Sequence, residues 1–118
     1  MNWYNFSIKN AQVYRSTKAK KYLGYKIVGF DGARYFSLYR PDLTIDVTIG
    51  SVLSPPGGLY LGTTKQFCID YYSNSTDFQD ALLTYEYDEN DVLSGEPNAS
   101  SGEVIVKRGK LKEVEIQK

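Results

Sequence analysis

Asp31-Gly32, a turn dipeptide set between two runs of strand-forming residues, is the feature that most narrows what this chain can fold into. Residues 22–30, Tyr-Leu-Gly-Tyr-Lys-Ile-Val-Gly-Phe, show mixed alternation, and Ala33-Arg34-Tyr35-Phe36-Ser37-Leu38 resumes the pattern after the turn. Asp-Gly accepts the positive φ of a tight connection, so the two runs predict a β-hairpin. The same grammar continues. Arg40-Pro41-Asp42 reads as a turn. Residues 43–49 then alternate strictly, which puts Leu43, Ile45, Val47 and Ile49 on one face of a half-buried strand ended by Gly50. Ser54-Pro55-Pro56-Gly57-Gly58 is a loop, because proline cannot donate to a ladder. Leu59-Tyr60-Leu61, residues 82–87, Val104-Ile105-Val106 and residues 111–116 supply further strands, the last two joined at Arg108-Gly109-Lys110.

One stretch breaks the rule. Thr63 followed by Gln66 is a capping-box pattern opening a helix near residues 64–73, with Phe67, Cys68, Tyr71 and Tyr72 assigned to its inner face and Ser73-Asn74-Ser75 as its stop. Acidic Asp88-Glu89-Asn90-Asp91 is a connector, and residues 94–102 form an exposed loop. The expected fold is therefore a strand-rich α+β domain over residues 22–118, mostly antiparallel, with one main helix. Residues 1–21 form a basic N-terminal segment that belongs to the domain or extends from it. At 118 residues and 42% hydrophobic, the chain can build a core without a metal or disulfide.

From residue 22 to about 116 the motifs resemble a family of uncharacterised small domains found in phage and bacterial proteins. The resemblance rests on Tyr25-Lys26 before the hairpin, the strand ending at Gly50, Gly58-Leu59-Tyr60-Leu61 and Asp70-Tyr71-Tyr72. Those domains carry a Gly-Leu/Phe-His-Ala segment, and here Tyr60 stands where the family has its histidine. The resemblance implies an accessory protein of phage or mobile-element origin, with no settled activity to transfer.

Composition excludes several chemistries. Without histidine and with Cys68 alone, the chain lacks the usual tetrahedral zinc set, the imidazole base of nucleophilic triads and any intrachain disulfide. Phosphate-loop and dinucleotide fingerprints are absent. No cofactor or metal is expected. Glu86, Asp88, Glu89 and Asp91 lack the spacing of a calcium loop and read as a solvated connector. The first residues lack a signal-peptide pattern and no run is long enough to span a membrane, so the expectation is a cytoplasmic protein, or one of the host cytoplasm if phage-encoded.

The formal net charge of zero hides a partition: residues 1–40 carry +7, residues 41–106 carry −10 and residues 107–118 carry +3. Such a distribution either pairs internally or steers a charged partner. Lys18, Lys20, Lys21, Lys26, Arg34 and Arg40, interleaved with Tyr22, Tyr25 and Tyr35, form the candidate binding set, suited to a protein surface or to phosphates and stacked bases. Arg34, Tyr60, Tyr71 and Glu86 form a second candidate set, the arginine, tyrosine and late glutamate of an ADP-ribosyltransferase-like nucleotide site. The leading expectation is a non-catalytic accessory domain that binds a host or phage protein. Nucleic-acid binding, nucleotide chemistry, self-association and a structural or virion-associated role are the alternatives.

Overall fold

The structure, a computed structural model, describes residues 19–38, 42–72 and 79–116. Residues 1–18, Arg40-Pro41 and Ser73-Asn74-Ser75 lie outside that set, and with them Lys18, Arg40 and the expected helix stop.

Among the described residues eight strands form one sheet: β1 (Lys21–Phe30), β2 (Tyr35–Phe36), β3 (Val52–Leu53), β4 (Leu59–Gly62), β5 (Gln79–Asp88), β6 (Val92–Ser94), β7 (Glu103–Val106) and β8 (Gly109–Ile116). Helix α1 (Lys65–Tyr72) follows β4, and a single 3-10 turn, Glu89–Asp91, follows β5. Every pairing is antiparallel. The spatial order is β3-β8-β5-β1-β4-β7-β6, with β2 on β1. Among the described residues the fold is thus mostly β with one α-helix, as the sequence implied.

The Asp31-Gly32 hairpin forms, with Gly29 opposite Phe36 and Phe30 opposite Tyr35. Gly32 takes φ 94°, and Asp31 closes the turn with its carboxylate. The backbone N–H groups of Arg34 and Ala33 donate to Asp31 Oδ1, each at 2.9 Å, and hold its carboxyl below the ordinary carboxylate range.

The centre of the sheet is the ten-residue ladder of β1 on β5. Ala81, Leu83, Tyr85 and Tyr87 face one side, where Val28, Leu59, Leu61, Val104, Val106 and Leu111 complete the main core. Leu82 faces the other side, packed with Ile27 and Cys68 beneath α1. Both faces are covered, which is why this part of β5 reads as a continuous apolar run. A register shift between Thr84 and Tyr85 against β8 bends the ladder, as bulges do. The sheet curls into a half-barrel. Gly109 at the head of β8 comes so close to β4 and β5 that an added Cβ would sit 2.9 Å from Leu59 and 3.2 Å from Tyr85.

Three expectations need correction. Residues 43–49 do not form a strand beyond one bridge, Phe36 to Thr44. They run as a strap tied near its ends, by Ile45 N–H to Tyr35 O (2.8 Å) and Gly50 N–H to Leu111 O (2.8 Å). Ile45 and Val47 reach the core, whereas Leu43 and Ile49 remain 47% and 58% exposed. The final two strands, joined directly in sequence, do not pair with each other. β7 pairs with β4 and β6, and β8 with β5 and β3, so Lys107-Arg108 carries the chain across the curl.

At the helix start, Thr63 is taken by Gly102 O, which receives its N–H and hydroxyl at 3.0 and 3.3 Å. Thr64 caps instead: its hydroxyl accepts from Phe67 N–H at 3.0 Å and its carbonyl from Cys68 N–H at 3.3 Å. Gln66 turns to Asp70 (2.7 Å) rather than back to the cap. The inner face is centred on Cys68, with Tyr71 72% exposed and its ring stacked on Phe67 at 4.5 Å. Gly62 makes this close docking achievable, since a Cβ there would lie 2.5 Å from Cys68 Sγ.

Candidate functional site

On the edge of β1 away from β5, partners are sparse. β4 reaches it only at Tyr25, opposite Gly62, and β2 only at Gly29 and Phe30. Where β4 and the chain after β2 diverge, a cleft of about 410 Å³ opens. Tyr25, Lys26 and Ile27 contribute from β1, Ser37 and Leu38 from the segment after β2, Tyr60 from β4 and Glu103 from β7. The volume falls in the range of small-ligand sites. It also suits one or two anchoring side chains.

The walls divide by chemistry. Tyr25, Ile27, Leu38 and the half-exposed Tyr60 provide apolar and aromatic surface, and Lys26, Ser37 and Glu103 provide the polar groups. Among the described residues the Lys26 ammonium has no hydrogen-bond or ion-pair partner. Burial lowers its pKa below the ordinary lysine value, against the pull of Cys68 and Glu103. Cys68 supplies little negative charge near neutrality, because its own burial pushes the thiol up to about 11. That thiol is fully buried and donates to Tyr25 O at 3.0 Å, so it serves the packing of α1 on β1. A thiol reagent at neutral pH is expected to leave Cys68 unmodified in the folded protein and to modify it fully in denaturant; rapid native modification would contradict the packing described.

The sequence-derived sets are dispersed. Lys21 pairs with Asp88 at 3.1 Å, and Lys20 with Glu89 through the backbone, N–H to Oε1 at 3.4 Å and its carbonyl accepting Glu89 N–H at 2.9 Å. Arg34 lies 3.7 Å from Asp31, donates to Thr44 Oγ1 at 3.2 Å and covers the Phe36 ring at 4.9 Å. Tyr22 stacks on Tyr87 at 5.9 Å and Tyr35 on Phe30 at 4.6 Å. Among the described residues of the binding set, Tyr25 and Lys26 alone meet in the cleft.

The second set is split. Arg34 follows the hairpin turn next to the Phe30 end of β1, while Glu86 lies opposite Leu23, seven residues away and roughly 23 Å along the strand. Tyr60 lines the cleft and Tyr71 sits on the outer side of α1. The acidic connector is committed to ion pairs and turn bonds: Asp88 to Lys21 and Asn90 N–H, and Asp91 to Arg108 at 3.5 Å. Among the described residues no group of His, Cys, Asp or Glu is placed to hold a metal, and no helix is long and apolar enough to cross a membrane.

Leu38, Ser37, Ile27 and Glu103 went unflagged in the sequence. They meet only because β7 pairs with β4 and the chain after β2 turns back beside β1; no local signal marks that meeting. Comparison with family models, curated proteins and solved structures finds no match to this chain.

Proposed function

We propose that this chain is a non-catalytic binding module, an accessory domain of the phage or mobile-element kind its motifs resemble, that engages a host or phage protein at the cleft between β1 and β4. The observation that supports this reading is the cleft itself. It is an apolar and aromatic recess on an otherwise well-paired sheet, with Tyr60 50% exposed on its wall. Protein interfaces concentrate their binding energy in such arrangements, an anchor residue seated in a pocket beside an exposed tyrosine. Lys26 and Glu103 on the same walls would set the orientation of the anchor.

The test starts with capture of partners from host lysate by the tagged protein, with and without nuclease, followed by affinity measurement on the partner identified. Tyr60→Ala is expected to cost on the order of 2 kcal/mol, roughly thirtyfold in Kd. Val52→Ala, on the opposite edge strand and similarly exposed, is expected to leave affinity unchanged. Equal losses in both variants, or none in either, would remove the cleft from the interface. Retention that disappears with nuclease would move the reading to nucleic acid.

A further inference from the structure

We propose that Lys26 is a carbonyl-reactive amine: the cleft admits an aldehyde or ketone with a small apolar body and Lys26 Nζ captures it as an imine. This goes beyond the binding reading and does not depend on it.

Three observations carry the inference. Lys26 lines a recess whose other walls include Tyr25, Ile27, Leu38 and Tyr60, so a small apolar carbonyl compound has a place to sit against this residue. Among the described residues, the ammonium has neither an ion pair nor a hydrogen bond to hold its proton. The other lysines that form cation contacts sit at the surface, Lys21 with Asp88 and Lys65 with Glu115 at 2.7 Å.

The environment also favours the free amine. Burial works against the ammonium, and the groups facing Lys26 offset this only partly. Those groups are Glu103 on β7, which attracts the ammonium, and Cys68 on α1, which stays protonated until about pH 11. Tyr25 on β1 and Tyr60 on β4 are the remaining titratable walls. A desolvated lysine with a lowered pKa is the usual form of an imine-forming residue.

The chemistry balances within the cleft and its solvent. The Nζ lone pair attacks the carbonyl carbon, a C–N bond forms, and the C=O π pair moves to oxygen, which takes up a proton. The carbinolamine nitrogen then gives up its protons, the C–O bond breaks, and the oxygen leaves as water while the C=N bond forms. Glu103, Tyr60 and Ser37 are the wall groups able to relay these protons.

The full chain, treated at neutral pH with limiting benzaldehyde and sodium cyanoborohydride, gives the test. Reduction fixes each imine as a benzylamine, and peptide mass spectrometry assigns it. Among lysine side chains, Lys26 is expected to be benzylated at least about tenfold faster than Lys20, Lys21, Lys65, Lys107, Lys110 or Lys112, as a desolvated amine beside an apolar recess reacts. Lys26→Arg, which keeps the positive charge and removes the nucleophile, should abolish the fast phase with the circular-dichroism spectrum unchanged. Benzylation spread evenly over the lysines, Lys26 spared, or a fast phase surviving in Lys26→Arg would each overturn the proposal. Because the probe is a small aldehyde, none of these outcomes depends on whether a protein partner uses the cleft.

Discussion

Gly29→Ala is expected to destabilise the domain by roughly 2–3 kcal/mol, the range of an overpacked core, and to lower Tm by roughly 10 °C. Gly29 has φ in the ordinary strand region, so alanine meets no backbone obstacle. The obstacle is Phe36. An added Cβ would lie 2.4 Å from two atoms of its ring and 3.0 Å from a third. The ring is 5% exposed and the Arg34 guanidinium covers it at 4.9 Å, so it is held on both sides and cannot swing clear without giving up burial and the cation–π contact. Moving it also disturbs the Phe36–Thr44 bridge that starts the strap across the core.

Two comparisons isolate the cause. Phe36→Leu in the Gly29→Ala background should recover part of the loss, because the two residues are in contact and couple. Gly32→Ala, where φ is 94° and nothing lies within 4 Å of the added Cβ, should cost only about 1 kcal/mol of backbone strain. Chemical denaturation of the four proteins measures all of this. A Gly29→Ala change no larger than that of Gly32→Ala would show that the Gly29–Phe36 contact is not tight.

The second large effect is alkaline unfolding. Burial raises Cys68 from 9.0 to about 11, Tyr85 from 10.0 to about 12 and Tyr87 from 10.0 to about 12; Asp46 adds to the rise at Tyr85 and Tyr22 to that at Tyr87. For each group the folded pKa lies above the unfolded one. Below pH 9 all three are protonated in both states and the stabilisation is complete. Between about pH 9 and 12 the unfolded chain releases its protons first, and stability falls. Lys26 acts in the opposite direction, since its folded pKa is lowered and the unfolded chain holds that proton longer.

Each tenfold separation in ionisation is worth about 1.4 kcal/mol, so Cys68, Tyr85 and Tyr87 together make the loss across the window several kcal/mol, with Lys26 opposing it. That is comparable to the whole stability of many domains. Circular dichroism and phenolate absorbance followed together should show the last fraction of tyrosine ionisation, that of Tyr85 and Tyr87, arriving only as the sheet is lost. Tyr85→Phe should move the unfolding midpoint to higher pH. It should also raise stability at neutral pH, because the Tyr85 hydroxyl is buried without a hydrogen-bond partner. Complete tyrosine ionisation with the sheet intact would rule out the packing assigned to Tyr85 and Tyr87.

The first candidate site shows how far the chain could be read in advance. Tyr25, Lys26 and Tyr60 stood out as a basic and aromatic strand and as the place of the family histidine, and all three line the cleft. The rest of its wall could not be found from local pattern. Glu103 looked like one more acid before a strand, and Ser37-Leu38 like the tail of a hairpin. The charge partition had two readings, and contacts across the fold speak for internal pairing: Lys21 with Asp88 and Arg108 with Asp91 join each basic segment to the acidic middle.

What the amino-acid order determined by itself was whatever depends on neighbours along the chain. The Asp31-Gly32 hairpin, the β4 strand and the span of α1 follow from turn chemistry, period-two patterning and a threonine before a helical run. Tertiary structure decided everything that depends on which strand lies beside which. Strict alternation at residues 43–49 was a sound sign that Ile45 and Val47 are wanted inside, but a strand also needs a partner along its length, and this segment has one only at its ends. β7 and β8 are neighbours in sequence and strangers in the sheet, because the curl of the half-barrel puts their partners on opposite sides. The cleft comes from the same cause: β1 is longer than either strand on its outer edge, and where they part a recess is left around Lys26.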